Sequence, residues 1–211
     1  MSTLFDFATF PILTTERLVL RQLSHADADA INHIFSDPQV IEFMSEPPLN
    51  STEKAIELID WMNGWYDKQA AARWGITLKG DDHVIGTCGF HKWNREHRYA
   101  DLGYDLLPAY WGRGYGPEAA RAVVAWCFDN LDLHRIQADC TDGNQRSERT
   151  HPAQARFPAR GSVARAVLGA RALRRHQAVR AAAPRVRSCS QRSEVSPAKS
   201  NGRHAGARRA S

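Results

Sequence analysis

Nowhere does this 211-residue chain offer the ~20 consecutive apolar residues that a membrane-spanning helix needs. Its first ten residues, MSTLFDFATF, lack the basic start of a secretory leader, so the expected location is cytoplasmic and no membrane partner is expected. The four cysteines, Cys88, Cys127, Cys140 and Cys189, form no C-x-x-C pair and join no Cys/His cluster. A disulfide framework and a metal site are therefore not expected, and the thiols read as reduced. The phosphate-loop pattern G-x-x-x-x-G-K is also missing. Beyond residue 150 both acids and aromatics run out. Residues 151–211 hold 13 Arg and 1 Lys against the single acid Glu194, and Phe157 is their only aromatic. Leu, Ile, Val and Phe make up 8 of those 61 residues, under the roughly 20% below which a charged segment struggles to bury a core. The overall charge of +5 thus averages a tail of +13 and a first part of −8.

All six Trp, all five Tyr and seven of the eight Phe lie in residues 1–150, where a core can form. TERLVLRQL (residues 15–23) alternates with Leu18 and Leu20 on one side of a strand, and Ser24-x-x-Asp27 caps a helix running to Phe35. Pro47-Pro48 breaks the chain. Asn50-x-x-Glu53 then caps a second helix that carries Ala55, Leu58, Ile59, Met62 and Tyr66 at helical spacing. RWGITLK, HVIGTCGFH and YADLGYDLL follow as three strands separated by short polar turns. These connections suit an antiparallel meander and are too short for parallel crossovers. After the glycine-rich run GRGYG, Pro117-Glu118 opens an Ala-rich helix to about Asn130, and HRIQADC forms one more strand, with Ile136 and Ala138 on one side.

The run Gly112, Arg113, Gly114, Tyr115, Gly116 lies between a strand and a helix N-terminus. Unpaired amides converge at such a place, and glycine lets a phosphate approach closely. A plain strand-to-helix turn is the alternative. The whole segment LGYDLLPAYWGRGYGPEAARAVVAWCFDNLDLHRIQADCTDGNQRS resembles the GNAT superfamily of acyl-CoA-dependent acetyltransferases, in the branch similar to ribosomal-protein N-terminal acetyltransferases. TTERLVLRQLSHADADAI is similar to the opening of the same branch, and WGRGYGPEA is the most specific part. Trp111 stands where the wider superfamily tends to have Gln or Arg, as is usual in this branch.

The resemblance implies an α/β (α+β) fold: a GNAT-like mixed, mostly antiparallel twisted sheet flanked by helices, with an atypical Arg/Ala-rich C-terminal tail. It implies acetyl-CoA as donor, with the pyrophosphate on Gly112 to Gly116 beside Trp111 and the pantetheine arm paired along Tyr104, Asp105 and Leu106. Asn144 would support the arm from the far side. A backbone amide near Leu106 would stabilise the oxyanion. The acceptor is expected to be an amine on a peptide or small molecule, most simply an α-amine. Its pKa of about 7.7–8.0 demands less of a base than a lysine near 10.4. Asp101 and Asp105 share a strand face with Gly103 and are candidate bases; a solvated acid is the plain alternative for each. Ser147, in the N-x-x-S pattern, is the candidate proton donor to the leaving thiolate, with helix capping as its alternative. His91 and His134 could titrate near neutrality but more simply fill structural roles. Monomer and homodimer are both compatible.

In this branch the chain normally runs on from N-x-x-S to K-L-G-F, E-G, R-E and a closing F-G-L-L hairpin. None of these stands here. With the codons CAC CCT GCG CAA GCT CGG TTT CCC for His151 onward, dropping one nucleotide spells TLRKLGF. Residues 1–150 are accordingly read as a C-terminally incomplete acetyltransferase domain and residues 151–211 as a basic, low-complexity frameshift product. The sheet edge at HRIQADC is expected to be left open. Two rivals remain: a catalytically impaired relic, and nucleic-acid binding by the tail through phosphate neutralisation. The tail has no Gly-Arg, Arg-Ser or heptad pattern, so no specific nucleic acid is expected.

Overall fold

The computed structural model describes residues 6–42, 44, 46–141 and 163–169. Among these residues seven strands form one sheet in sequence order: β1 (Leu13–Thr14), β2 (Leu18–Arg21), β3 (Ala72–Leu78), β4 (Val84–Asn94), β5 (Tyr99–Leu106), β6 (Arg135–Thr141) and β7 (Val163–Gly169). All neighbours pair antiparallel except β5 and β6, which are parallel. The helices are α1 (Ala28–Ser36), the short α2 (Pro38–Ile41), α3 (Thr52–Asp67) and α4 (Tyr115–Asn130), the last providing the β5-to-β6 crossover. The mixed, mostly antiparallel sheet flanked by helices agrees with the sequence.

Alternation along the strands sorts two apolar layers. Leu18, Leu20, Trp74, Ile76, Cys88, Phe90, Ala100, Leu102, Leu106 and Ile136 pack on Ala119, Ala120, Val123, Val124 and Cys127 of α4. Trp74 is fully buried there, and its indole nitrogen donates to the Pro11 carbonyl at 2.7 Å. A second cluster, with Leu23, Ile31, Ile34, Ala55, Ile59, Met62, Val84 and Leu107, holds α1 and α3 against the sheet.

The details correct the sequence reading in three places. The Ser51 hydroxyl, not Asn50, caps α3 by accepting from the Lys54 amide at 3.3 Å. Helix α4 begins at Tyr115, two residues before Pro117, because Gly114 as N-cap takes a left-handed φ of 79°. The edge of β6 is covered: Val163–Gly169, from the stretch expected to leave it open, pairs along it from Arg135↔Gly169 to Thr141↔Val163. That strand forms because ladder pairing uses backbone groups and needs little of side-chain composition.

Candidate active site

Strand β5 is paired on both edges only at its start. Its parallel ladder with β6 comprises Tyr99↔Arg135, Ala100↔Ile136 and Asp101↔Gln137, and then ends. From Leu102 to Leu106 the β6-facing edge of β5 has no strand partner among the described residues, while its other edge stays paired to β4. The two strands therefore part in a V that closes at Asp101 and opens toward the glycine turn.

At the open end Pro108–Tyr110 makes a short 3-10 turn that leads to Gly112 (φ 73°) and Gly114 (φ 79°). These left-handed positions favour glycine. The first amides of α4 have no intrahelical acceptor, so those of Tyr115 and Gly116 are available to a ligand. Gly116 also admits the Tyr104 ring, since a Cβ there would lie 2.8 Å from Tyr104 Cε2. Trp111 bonds the end of β5, its indole nitrogen donating to the Leu106 carbonyl at 2.6 Å. Arg113 is exposed on the turn.

Glu118, in the first turn of α4, would oppose a phosphate if its charge were free. It is instead tied to the β1–β2 hairpin: the Thr15 hydroxyl (2.6 Å), the Arg17 amide (3.0 Å) and Arg17 Nε (2.7 Å) all donate to its carboxylate. Burial pushes the Glu118 carboxyl up, but these hydrogen bonds and the Arg17 charge outweigh it and hold the group below the ordinary carboxylate range. Arg17 also donates to the Arg113 carbonyl at 2.9 Å and lies over the Tyr115 ring, 4.6 Å from its centroid. One arginine thus braces the turn from behind.

On the sheet face away from α4, three cross-strand rows line the V. Gly75, Thr87 and Asp105 form one, Arg73, Gly89 and Gly103 the next, and His91, Asp101 and Gln137 the third. Two glycines side by side in the middle row form a floor that brings no side chains of its own, and Arg73 and His91 stand over Gly103, with Arg73 Nη1 3.3 Å and His91 Cε1 3.5 Å from where its Cβ would be. Arg73 Nε donates to Thr87 Oγ1 at 2.9 Å, and its Nη2 pairs with Asp105 Oδ2, which also accepts from Thr87 Oγ1 at 3.3 Å. Asp101 is 4% exposed and accepts from Gln137 Nε2 at 2.5 Å. The solvated-acid alternative therefore fails for Asp101, and Asp105 is an ion-pair partner. A register shift between His91 and Asn94, with Lys92 at φ 48°, aims the Lys92 ammonium toward Asp101 Oδ2 at 3.5 Å. Burial pushes the Cys88 thiol up to about 12 and the Cys127 thiol well up, so neither serves as a nucleophile near neutral pH.

Of the sequence candidates, Asp101, Tyr104, Asp105, Leu106 and Trp111 through Gly116 fall on one continuous path from the V to the helix. Asn144 and Ser147 lie outside the described residues. Sequence reasoning missed Arg73, Thr87, Gln137 and the Thr15/Arg17 brace. The mid-strand glycines Gly89 and Gly103 were the available signal for the floor, since glycine inside a strand marks a close approach.

Comparison with known proteins yields one family model, "Acetyltransferase (GNAT) domain", over residues 17–152. An uncharacterised N-acetyltransferase of Bacillus subtilis (strain 168), YoaA, is 38% identical over 140 residues, covering 66% of this chain and 79% of that protein. Among solved structures, spermidine N-acetyltransferase from Vibrio cholerae, in complex with CoA and spermine, superposes with a TM-score of 0.62 at 19% identity, covering 75% of this chain and 99% of that one. RimL, a ribosomal L7/L12 alpha-N-protein acetyltransferase in complex with coenzyme A, gives 0.64 at 16%, covering 75% and 98%. Among the described residues no helix is long and apolar enough to cross a membrane, and no group of three His, Cys, Asp or Glu could hold a metal ion.

Proposed function

Because the chain belongs to the GNAT acetyltransferase family, whose members draw on acetyl-CoA, we propose that it acetylates an α-amine on a peptide or small molecule and that the V between β5 and β6 is where transfer occurs. The observation that carries this reading is the end of the parallel ladder at Asp101↔Gln137. It frees one edge of β5 along a path that ends at the glycine turn.

The residues fit the donor. The amides of Tyr115 and Gly116, with the left-handed Gly112 and Gly114, would hold its pyrophosphate. The edge of β5 between Leu102 and Leu106 that β6 leaves would pair with the amides of its pantetheine arm, while the Leu106 carbonyl is already held by Trp111. Acetyl-CoA supplies an acetyl group activated by a thiol leaving group.

The acceptor would lie beside Asp101 at the closed end of the V, against the Arg73 guanidinium that covers the floor of Gly89 and Gly103. Of the two acids there, Asp101 is the proton acceptor. Its Oδ1 is fixed by Gln137, and among the described residues its Oδ2 meets the Lys92 ammonium at a length beyond ordinary hydrogen bonding. The Arg73 and Thr87 contacts both fall on Asp105 Oδ2, which makes Asp105 the structural acid. An α-amine near 7.7–8.0 is already partly neutral at pH 7, so a carboxylate suffices where a lysine near 10.4 would ask for more.

Acetyl transfer is to be measured on peptides with a free N-terminus, on N-blocked peptides with an internal lysine, and on spermidine. The free N-terminus should be preferred. Preference for the internal lysine or for spermidine would overturn the α-amine reading.

A further inference from the structure

Gln137 is 4% exposed, and its Nε2 donates to Asp101 Oδ1 at 2.5 Å. A carboxylate can only accept, so this bond fixes the assignment of the amide, with nitrogen and not oxygen on Asp101 Oδ1. That Oε1 is buried and accepts no hydrogen bond. A buried carbonyl without a donor costs about 1–3 kcal/mol, so an acceptor left in this state beside a candidate catalytic acid is one that a ligand's donor would satisfy. The place is the row at which the parallel ladder ends and the V begins. Asp101 Oδ2, in the same row, meets the Lys92 ammonium at 3.5 Å. Two acceptor oxygens of one hydrogen-bonded pair, Gln137 Oε1 and Asp101 Oδ2, thus lie in the row at which the ladder ends, and among the described residues neither has a donor at ordinary hydrogen-bond distance.

We propose that Gln137 is the specificity-determining residue that selects primary amines, its Oε1 and Asp101 Oδ2 each receiving one N–H of the attacking nitrogen. This rests on the reading of Asp101 as proton acceptor. With both hydrogens engaged, the nitrogen lone pair points away from the two oxygens, toward the thioester. As the C–N bond forms and the C–S bond breaks, one N–H proton passes to Asp101 and the electron pair leaves on sulfur as the CoA thiolate. The other N–H stays on Gln137 and becomes the N–H of the product amide. A secondary amine has one hydrogen and can satisfy one oxygen only, which leaves the other buried and unpaired.

The best acceptor found among the free-N-terminus peptides, lysine peptides and spermidine is to be compared with its N-monomethyl counterpart. The unaltered protein should favour the primary amine by about tenfold or more in kcat/KM, the value of one buried hydrogen bond. Gln137→Met, close in volume and unable to bond, should bring that ratio to within about threefold, mainly by lowering kcat for the primary amine. Its KM for acetyl-CoA should stay near that of the unaltered protein, while its melting temperature should fall by a few degrees, since the buried Asp101 carboxylate loses one donor. Equal use of both amines by the unaltered protein, or an unchanged ratio in Gln137→Met, would overturn the proposal. If Gln137→Met does not fold, Gln137→Leu and the measurement on the unaltered protein decide. Asp101→Asn separates the two readings. Full activity in that variant removes the proton acceptor itself, whereas an inactive Asp101→Asn beside an unchanged ratio in Gln137→Met removes only the selectivity.

Discussion

Arg73 shows how one side chain sorts two similar acids. Its guanidinium crosses the glycine floor to bind Thr87 and Asp105, and arginine and acid are each mostly buried, at 15% and 16% side-chain exposure. Arg73→Met would leave a carboxylate in that setting without its counter-ion, and such losses run to about 3–5 kcal/mol. Urea unfolding should therefore show a drop toward the lower end of that range. Adding Asp105→Asn should restore part of it, because the uncompensated charge is gone. If Arg73→Met unfolds at the same urea concentration as the unaltered protein, the pair is not structural. In the sequence, YADLGYDLL already placed Asp101 and Asp105 on one face. It could not say which was bound and which was ready to act, because the deciding partners lie on β3 and β6. Gln137 is 36 residues from Asp101, and only the parallel register brings them together.

At the scale of elements, the glycine turn is positioned by two attachments: the helix that it opens and the β1–β2 hairpin that reaches it through Glu118. Because the folded-state pKa of Glu118 is depressed, its contribution to stability is present above the ordinary carboxylate value and is lost as pH falls through the lowered one. Glu118→Gln should thus melt at a lower temperature than the unaltered protein at pH 7, and the gap should narrow as the pH is taken below about 4. A gap that is constant with pH would show that the charge of Glu118 is not what matters. Asp27, also depressed because hydrogen bonds from Arg21 and Ser24 outweigh its burial, loses its contribution in the same acid range in both proteins. For the turn itself, Gly112→Asn and Gly112→Asp impose similar strain at φ 73° and differ in charge. Calorimetry with acetyl-CoA should find the Asp variant the weaker by tenfold or more, and equal affinities would remove the pyrophosphate from this turn. The helix and its proline were legible from Pro117-Glu118. The true start at Tyr115 was not, since it depends on Gly114 adopting a left-handed φ.

Over the whole molecule, the core-forming residues and the family match both stop near residue 150, and the match ends at residue 152. For residues 151–211 we propose a shifted reading frame. Deleting a duplicated ACCC from the coding DNA at Thr150/His151 should open a frame reading T-L-R-K-L-G-F and onward to F-G-L-L, and a genomic sequence with no such frame would defeat the idea. Strand β7 does not conflict with it, because backbone pairing along β6 asks little of the side chains. The V has one further consequence. From Asp101 to Leu106 the strand takes five steps of about 3.3 Å, so β5 lays out a fixed span of roughly 16 Å between the closed ladder and the turn. It works as a gauge: whatever is anchored by its phosphates at one end presents its reactive end at a set depth. An acyl group much longer than acetyl would meet the closed ladder and be forced out over Gly103 into the space of the incoming amine, so octanoyl-CoA should bind and yet block the transfer it is meant to feed.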